Sequence, residues 1–160
     1  MRSTAMYTSN ETTDYREILE RDGFFMQFPA GVSMRPMLKQ GRDTIVIEKL
    51  KQSPKENDVV LYQTDAGKYI LHRVIKVKDE GYVIRGDNRI KNEYDVKDRH
   101  IIGILTGFYR KDKYINCYTN KWYKFYVIFW RNTFFIRVLF MYPYRCIRRI
   151  LSKIKHKIFK

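Results

Sequence analysis

Three short stretches carry residue types suited to acyl-transfer chemistry. The first, Gly31-Val32-Ser33-Met34-Arg35-Pro36-Met37-Leu38, sets a serine between a glycine and a proline directly after a strand-like run. A serine acts as a nucleophile when a tight, fixed backbone exposes its hydroxyl and nearby backbone N–H groups can serve an oxyanion. The second, Tyr69-Ile70-Leu71-His72-Arg73-Val74, is a strand pattern whose alternation puts His72 on the face of Ile70 and Val74. A histidine there is either a general base or a satisfied core residue. The third, Arg85-Gly86-Asp87-Asn88-Arg89, is a turn that either presents a carboxylate or plainly joins two strands. Each stretch alone is weak, because a serine near glycine and proline usually marks only a turn.

The elements that must position these residues read as β. Thr12 or Thr13 followed by Asp14–Arg21 predicts a short capped helix, ended by Gly23. Phe24–Phe28, Thr44–Glu48, Asp58–Gln63, Tyr69–Val77, Gly81–Arg85 and Ile101–Phe108 are rich in β-branched and aromatic residues. Turn-prone residues separate them at Gly41, Pro54–Asn57, Asp65–Gly67, Asp79–Gly81 and Gly86–Asn88. Strand follows strand with no helix between, which predicts a mainly β fold with a curled, mostly antiparallel sheet. The organisation expected is an N-terminal segment 1–23, a body 24–108 and a tail 109–160, with a linker near Tyr109–Asn116.

Charge separates body from tail. The chain of 160 residues carries +15, of which residues 109–160 hold +13 and residues 1–108 only +2. The tail also has 15 of the 25 aromatics, so charge and aromatic character belong to one segment rather than to a uniformly basic coat protein. Met1 to Asp22 is polar, with no apolar run of signal-peptide length. The stretch 122–144 comes closest to a membrane span, but Lys124, Arg131 and Arg137 interrupt it, at about 2.5–3.5 kcal/mol for each charge near mid-bilayer. Beyond Pro143, Ile147, Ile150, Leu151, Ile154 and Ile158 form one apolar stripe, and Arg145, Arg148, Arg149, Lys153, Lys155 and Lys157 take the rest. This is the pattern of a basic amphipathic helix in a membrane interface, with Trp122 and Trp130 at headgroup depth. Packing back onto the body or a second copy is the structural alternative. Nucleic acid is not expected, because the aromatics cluster in apolar runs instead of being spaced as stacking platforms. Cys117 and Cys146 make neither a disulfide framework nor a metal site, and His72, His100 and His156 have no ligand spacing, so neither metal nor cofactor is expected.

Taken in order, the stretches resemble the S24/S26 peptidase superfamily, and more closely its signal-peptidase I branch. The Ser-Met-x-Pro box of that family matches Ser33–Pro36, its Asp-Val-Val box Asp58–Val60, its Lys/His-Arg-Val box His72–Val74 and its Gly-Asp-Asn box Gly86–Asn88. Four weak boxes in the right order carry more than any one of them. The resemblance covers residues 24–108 and implies a coiled antiparallel β fold and a Ser–His endopeptidase that removes a leader or signal segment from a precursor. It makes Ser33 the nucleophile and His72 the base, at the position where most bacterial members have lysine and the archaeal and endoplasmic-reticulum type has histidine. Asp87 is the first choice for the carboxylate behind the imidazole and Asp95 the second. The oxyanion positions are the Ser33 backbone N–H and the neighbourhood of Gly31, where many relatives carry a serine hydroxyl. The family's N-terminal anchor has no counterpart here; the basic C-terminal tail instead implies peripheral attachment to anionic lipid, on the cytoplasmic face. The partners expected are a precursor peptide and a membrane surface. A non-catalytic S24-like interaction module and a membrane-bound adaptor are the alternatives.

Overall fold

The computed structural model describes residues 14–140 and Pro143. Two compact units divide between Lys124 and Phe125.

In the first unit, helix α1 (Tyr15–Asp22) begins at Asp14, whose carboxylate accepts the Arg16 N–H at 2.9 Å. The expected caps, Thr12 and Thr13, lie outside the described residues, and aspartate takes the role because a short side-chain acceptor next to the first turn satisfies its orphan donors. Gly23 ends the helix in the left-handed conformation, its N–H on the Leu19 carbonyl. Ile18 and Leu19 are the buried residues of α1, which packs on β1, β2 and β7 of the sheet that follows.

That sheet contains β1 (Phe24–Gln27), β2 (Asp43–Lys49), β3 (Val59–Gln63), β4 (Tyr69–Lys78), β5 (Gly81–Arg85), β6 (Glu93–Val96), β7 (Ile101–Arg110) and β8 (Lys113–Asn116). The strand order is β1-β2-β7-β3-β4-β5-β6, with β8 on β7, and every pairing is antiparallel. The expected mainly β, antiparallel fold is therefore the observed one. Register shifts interrupt β2–β7, β3–β7, β4–β5 and β5–β6, and such irregularities bend strands and increase local twist. Val60, Tyr62, Val74, Tyr82, Ile84, Val96 and Ile101 form a buried cluster across β3, β4, β5, β6 and β7. Burying each large apolar side chain contributes about 1.5–3 kcal/mol before entropy is counted.

Two strands escape the sequence pattern. β6 reads Glu-Tyr-Asp-Val, without an alternating apolar face, and forms only against β5. β8 occupies the expected linker: β7 runs to Arg110, Lys111 adopts φ 55°, and the chain returns with Arg110 opposite Lys113. The body thus continues past Phe108.

The tail begins as helix α2 (Lys121–Asn132), and residues 134–140 are also helical. Asn120 accepts the Tyr123 N–H at the start of α2. Among the described residues, no helix is long and apolar enough to cross a membrane. The Arg137 guanidinium lies 3.8 Å from the centroid of the Trp130 ring, so a charge that interrupts the apolar run in sequence is placed over an aromatic face. Arg145, Arg148, Arg149 and Lys153 lie outside the described residues.

Candidate active site

β4 places His72 and Arg73 on its two opposite faces, and both are buried. Arg73 gathers the surrounding segments. Its Nε and one terminal nitrogen each donate at 2.8 Å to the two oxygens of Asp87. Its other terminal nitrogen donates to the Asn57 carbonyl at 2.8 Å and the Tyr123 hydroxyl at 3.2 Å. A further contact of 3.0 Å reaches Met37 Sδ. One guanidinium therefore binds the loop after Ser33, the turn before β3, the turn after β5 and the start of α2. Burial opposes its charge, and Asp87 outweighs that cost, holding the Arg73 pKa well above its ordinary value.

The turn after β5 is also fastened to the serine loop. The Asn88 N–H donates to the Ser33 carbonyl at 2.7 Å, and the Asn88 side chain donates to the Val32 carbonyl at 3.0 Å. Gly86 lies between that loop and the histidine. A Cβ there would stand 2.8 Å from both His72 Nε2 and the Ser33 carbonyl oxygen, so only glycine allows this approach, and the Nε2 edge of the imidazole packs against Gly86. Ser33 and His72 line one cleft of about 520 Å³, together with Gly31, Met34, Leu71 and Glu93. Gly31 adopts φ 74°, a left-handed conformation in which other residues are strained.

Behind the ring, His72 Nδ1 lies 2.9 Å from Glu93 Oε1, off the line of a well-formed hydrogen bond. Glu93 Oε2 accepts from the Tyr62 hydroxyl. Burial pushes the His72 pKa down to about 4; Arg89 pushes in the same direction and Asp87 opposes both. Burial raises the Glu93 pKa. At neutral pH the ring is therefore uncharged.

The sequence-derived residues separate accordingly. Ser33, His72 and Gly31 come together in the cleft. Asp87 is buried against Arg73, where both its oxygens accept hydrogen bonds. Asp95 is exposed on β6 with φ 64°. The carboxylate at the ring is that of Glu93, which sequence reasoning missed. Its only local signal is that it lies two residues before Asp95, since the pairing of Ile84 with Glu93 is what brings β6 to the site. Among the membrane-binding candidates, Trp122 is 81% exposed and Trp130 is half-buried. Groups of acidic, histidine and cysteine side chains able to hold a metal are absent among the described residues.

No protein-family model matches the chain, and no curated protein matches it.

Proposed function

We propose that this chain is a serine endopeptidase of the signal-peptidase I type, cleaving a leader or signal segment from a precursor peptide. The observation that carries the reading is the shared cleft: Ser33 and His72 line it, and Nε2 and the Ser33 carbonyl oxygen both lie 2.8 Å from one point beside Gly86. In the proposed reaction Ser33 Oγ attacks the scissile carbonyl carbon while its proton passes to His72 Nε2. Glu93 faces Nδ1–H and stabilises the imidazolium as it forms. The Ser33 backbone N–H and the left-handed turn at Gly31 flank the oxyanion. His72 then protonates the leaving amine, and water, deprotonated by His72, hydrolyses the ester. The test is incubation of the protein with a mixed peptide library and identification of new termini by mass spectrometry. Cleavage at defined bonds is expected; an unchanged library overturns the reading.

The depressed histidine pKa makes the base available in acid. Neutral His72 is the active form, so the acid limb of kcat/KM is expected near pH 4, well below the ordinary 6.5 of histidine. Stability runs the other way. Between pH 6.5 and about 4 the unfolded chain binds the proton that folded His72 refuses, so its contribution to stability is lost as pH falls through that window. Glu93→Gln removes the carboxylate while keeping the side-chain shape. It is expected to lower kcat at least about tenfold and to move the acid limb further down, with little change in melting temperature. An unaltered pH profile would remove Glu93 from the mechanism.

We further propose that the tail addresses the enzyme to anionic lipid on the cytoplasmic face. Its support is the +13 charge of residues 109–160 and the exposed apolar side chains of Trp122, Phe125, Ile128, Phe135, Leu139 and Phe140. In vesicle flotation the full chain should rise with phosphatidylglycerol vesicles and be released by salt. A chain ended at Lys124 should stay behind; equal flotation would deny the tail this role. The cut belongs at Lys124, not Phe108, because β8 and the Tyr123 contact with Arg73 belong to the first unit.

A further inference from the structure

The charges at the mouth of the cleft are unbalanced. Arg89 and Lys91 line it, and both are exposed. Neither forms a salt bridge among the described residues. Of the other arginines near the serine loop, Arg42 and Arg110 bind Asp43 and Arg73 binds Asp87, while Arg35, within the loop, does not line the cleft. The one carboxylate lining the cleft, Glu93, is engaged by Tyr62 and stands at His72. Arg89 is also fixed in place, since its backbone N–H donates to the Gly86 carbonyl at 2.8 Å, beside the histidine. Two cations without counter-ions thus border a concave site in a body whose total charge is close to neutral. Fields of one sign in a cleft recruit ligands of the other sign.

We infer that the cleft selects peptides carrying an aspartate or glutamate within two residues of the scissile bond, paired with Arg89 and Lys91. The inference rests on the peptidase reading and names its substrate class. A substrate carboxylate at Arg89 would also offset the positive field that discourages protonation of His72, so the matching substrate would ease the proton transfer its own cleavage needs.

The experiment compares matched peptides that differ only in Glu, Gln or Lys beside the cleaved bond. With the wild-type protein, kcat/KM should favour Glu over Gln roughly fivefold, the size expected of exposed ion pairs, and the preference should shrink in high salt. The double variant Arg89→Glu, Lys91→Glu should reverse the order and favour Lys, which a merely structural role for these residues would not produce. Equal rates for the three peptides would overturn the inference and leave the peptidase reading intact. If no peptide is cleaved, the peptidase reading falls, and fluorescence anisotropy of the same labelled peptides on the wild-type protein decides the inference. Tighter binding of the Glu peptide supports it; equal binding overturns it.

Discussion

Ser33→Ala and His72→Ala should each abolish peptide cleavage, lowering kcat/KM by about 10³-fold or more, and with Ser33→Ala the melting temperature should shift little. The Ser33 change removes a hydroxyl from a partly exposed loop position. That loop is held by its backbone, through the Asn88 N–H on the Ser33 carbonyl and the Asn88 side-chain amide on the Val32 carbonyl. Losing the hydroxyl therefore leaves the framework in place and deletes only the nucleophile. His72→Ala leaves a void at a position 4% exposed, so His72→Gln is the companion variant that keeps most of the volume. Because nucleophile and base act as a unit, the double variant should be scarcely worse than either single one. Cleavage that survives both substitutions would take the chemistry away from Ser33 and His72.

Asp87→Ala should act mainly on the fold. It strands a guanidinium that is 3% exposed and leaves it without the two 2.8 Å hydrogen bonds that offset its burial. Removing one partner of such a pair costs about 3–5 kcal/mol, which for a domain of this size lowers the melting temperature by roughly 10–20 °C. The same variant loosens the Ser33 loop, because the turn that carries Asp87 also carries Asn88. Replacing both partners, Arg73→Met with Asp87→Leu, should recover most of the lost stability, since an apolar pair leaves no charge uncompensated. Calorimetry or far-ultraviolet circular dichroism reads both effects. An Asp87→Ala protein that melts like wild type yet loses activity with an altered pH profile would return Asp87 to the ring and displace Glu93.

The two carboxylates illustrate how far sequence reaches. Asp87 lies in the Gly86–Asn88 stretch, which is recognisable by residue type, and its nearness to His72 in the fold could be expected from the order of the strands. Its partner could not be. His72 and Arg73 are neighbours in sequence but face opposite sides of β4, and Asp87 binds the arginine. Glu93 reaches the ring through β6, a strand with no apolar alternation, whose formation depends on pairing with β5. Local pattern reports burial along one strand; it does not report which distant strand edge needs a partner.

The same contrast runs through the fold. Alternation and turn residues by themselves located six strands within a residue or two, because half-buried strands must present apolar side chains at every second position. The partition of charge into a near-neutral body and a basic tail is likewise a property of the sequence alone. Tertiary structure decided the rest: that Asp14 caps the first helix, that residues 113–116 form a strand, and that Arg73 takes Asp87 while Glu93 stands behind His72. These outcomes share one cause. A buried charge or an open strand edge takes whichever complementary group the folded chain brings within reach, and that reach is measured through space, not along the sequence.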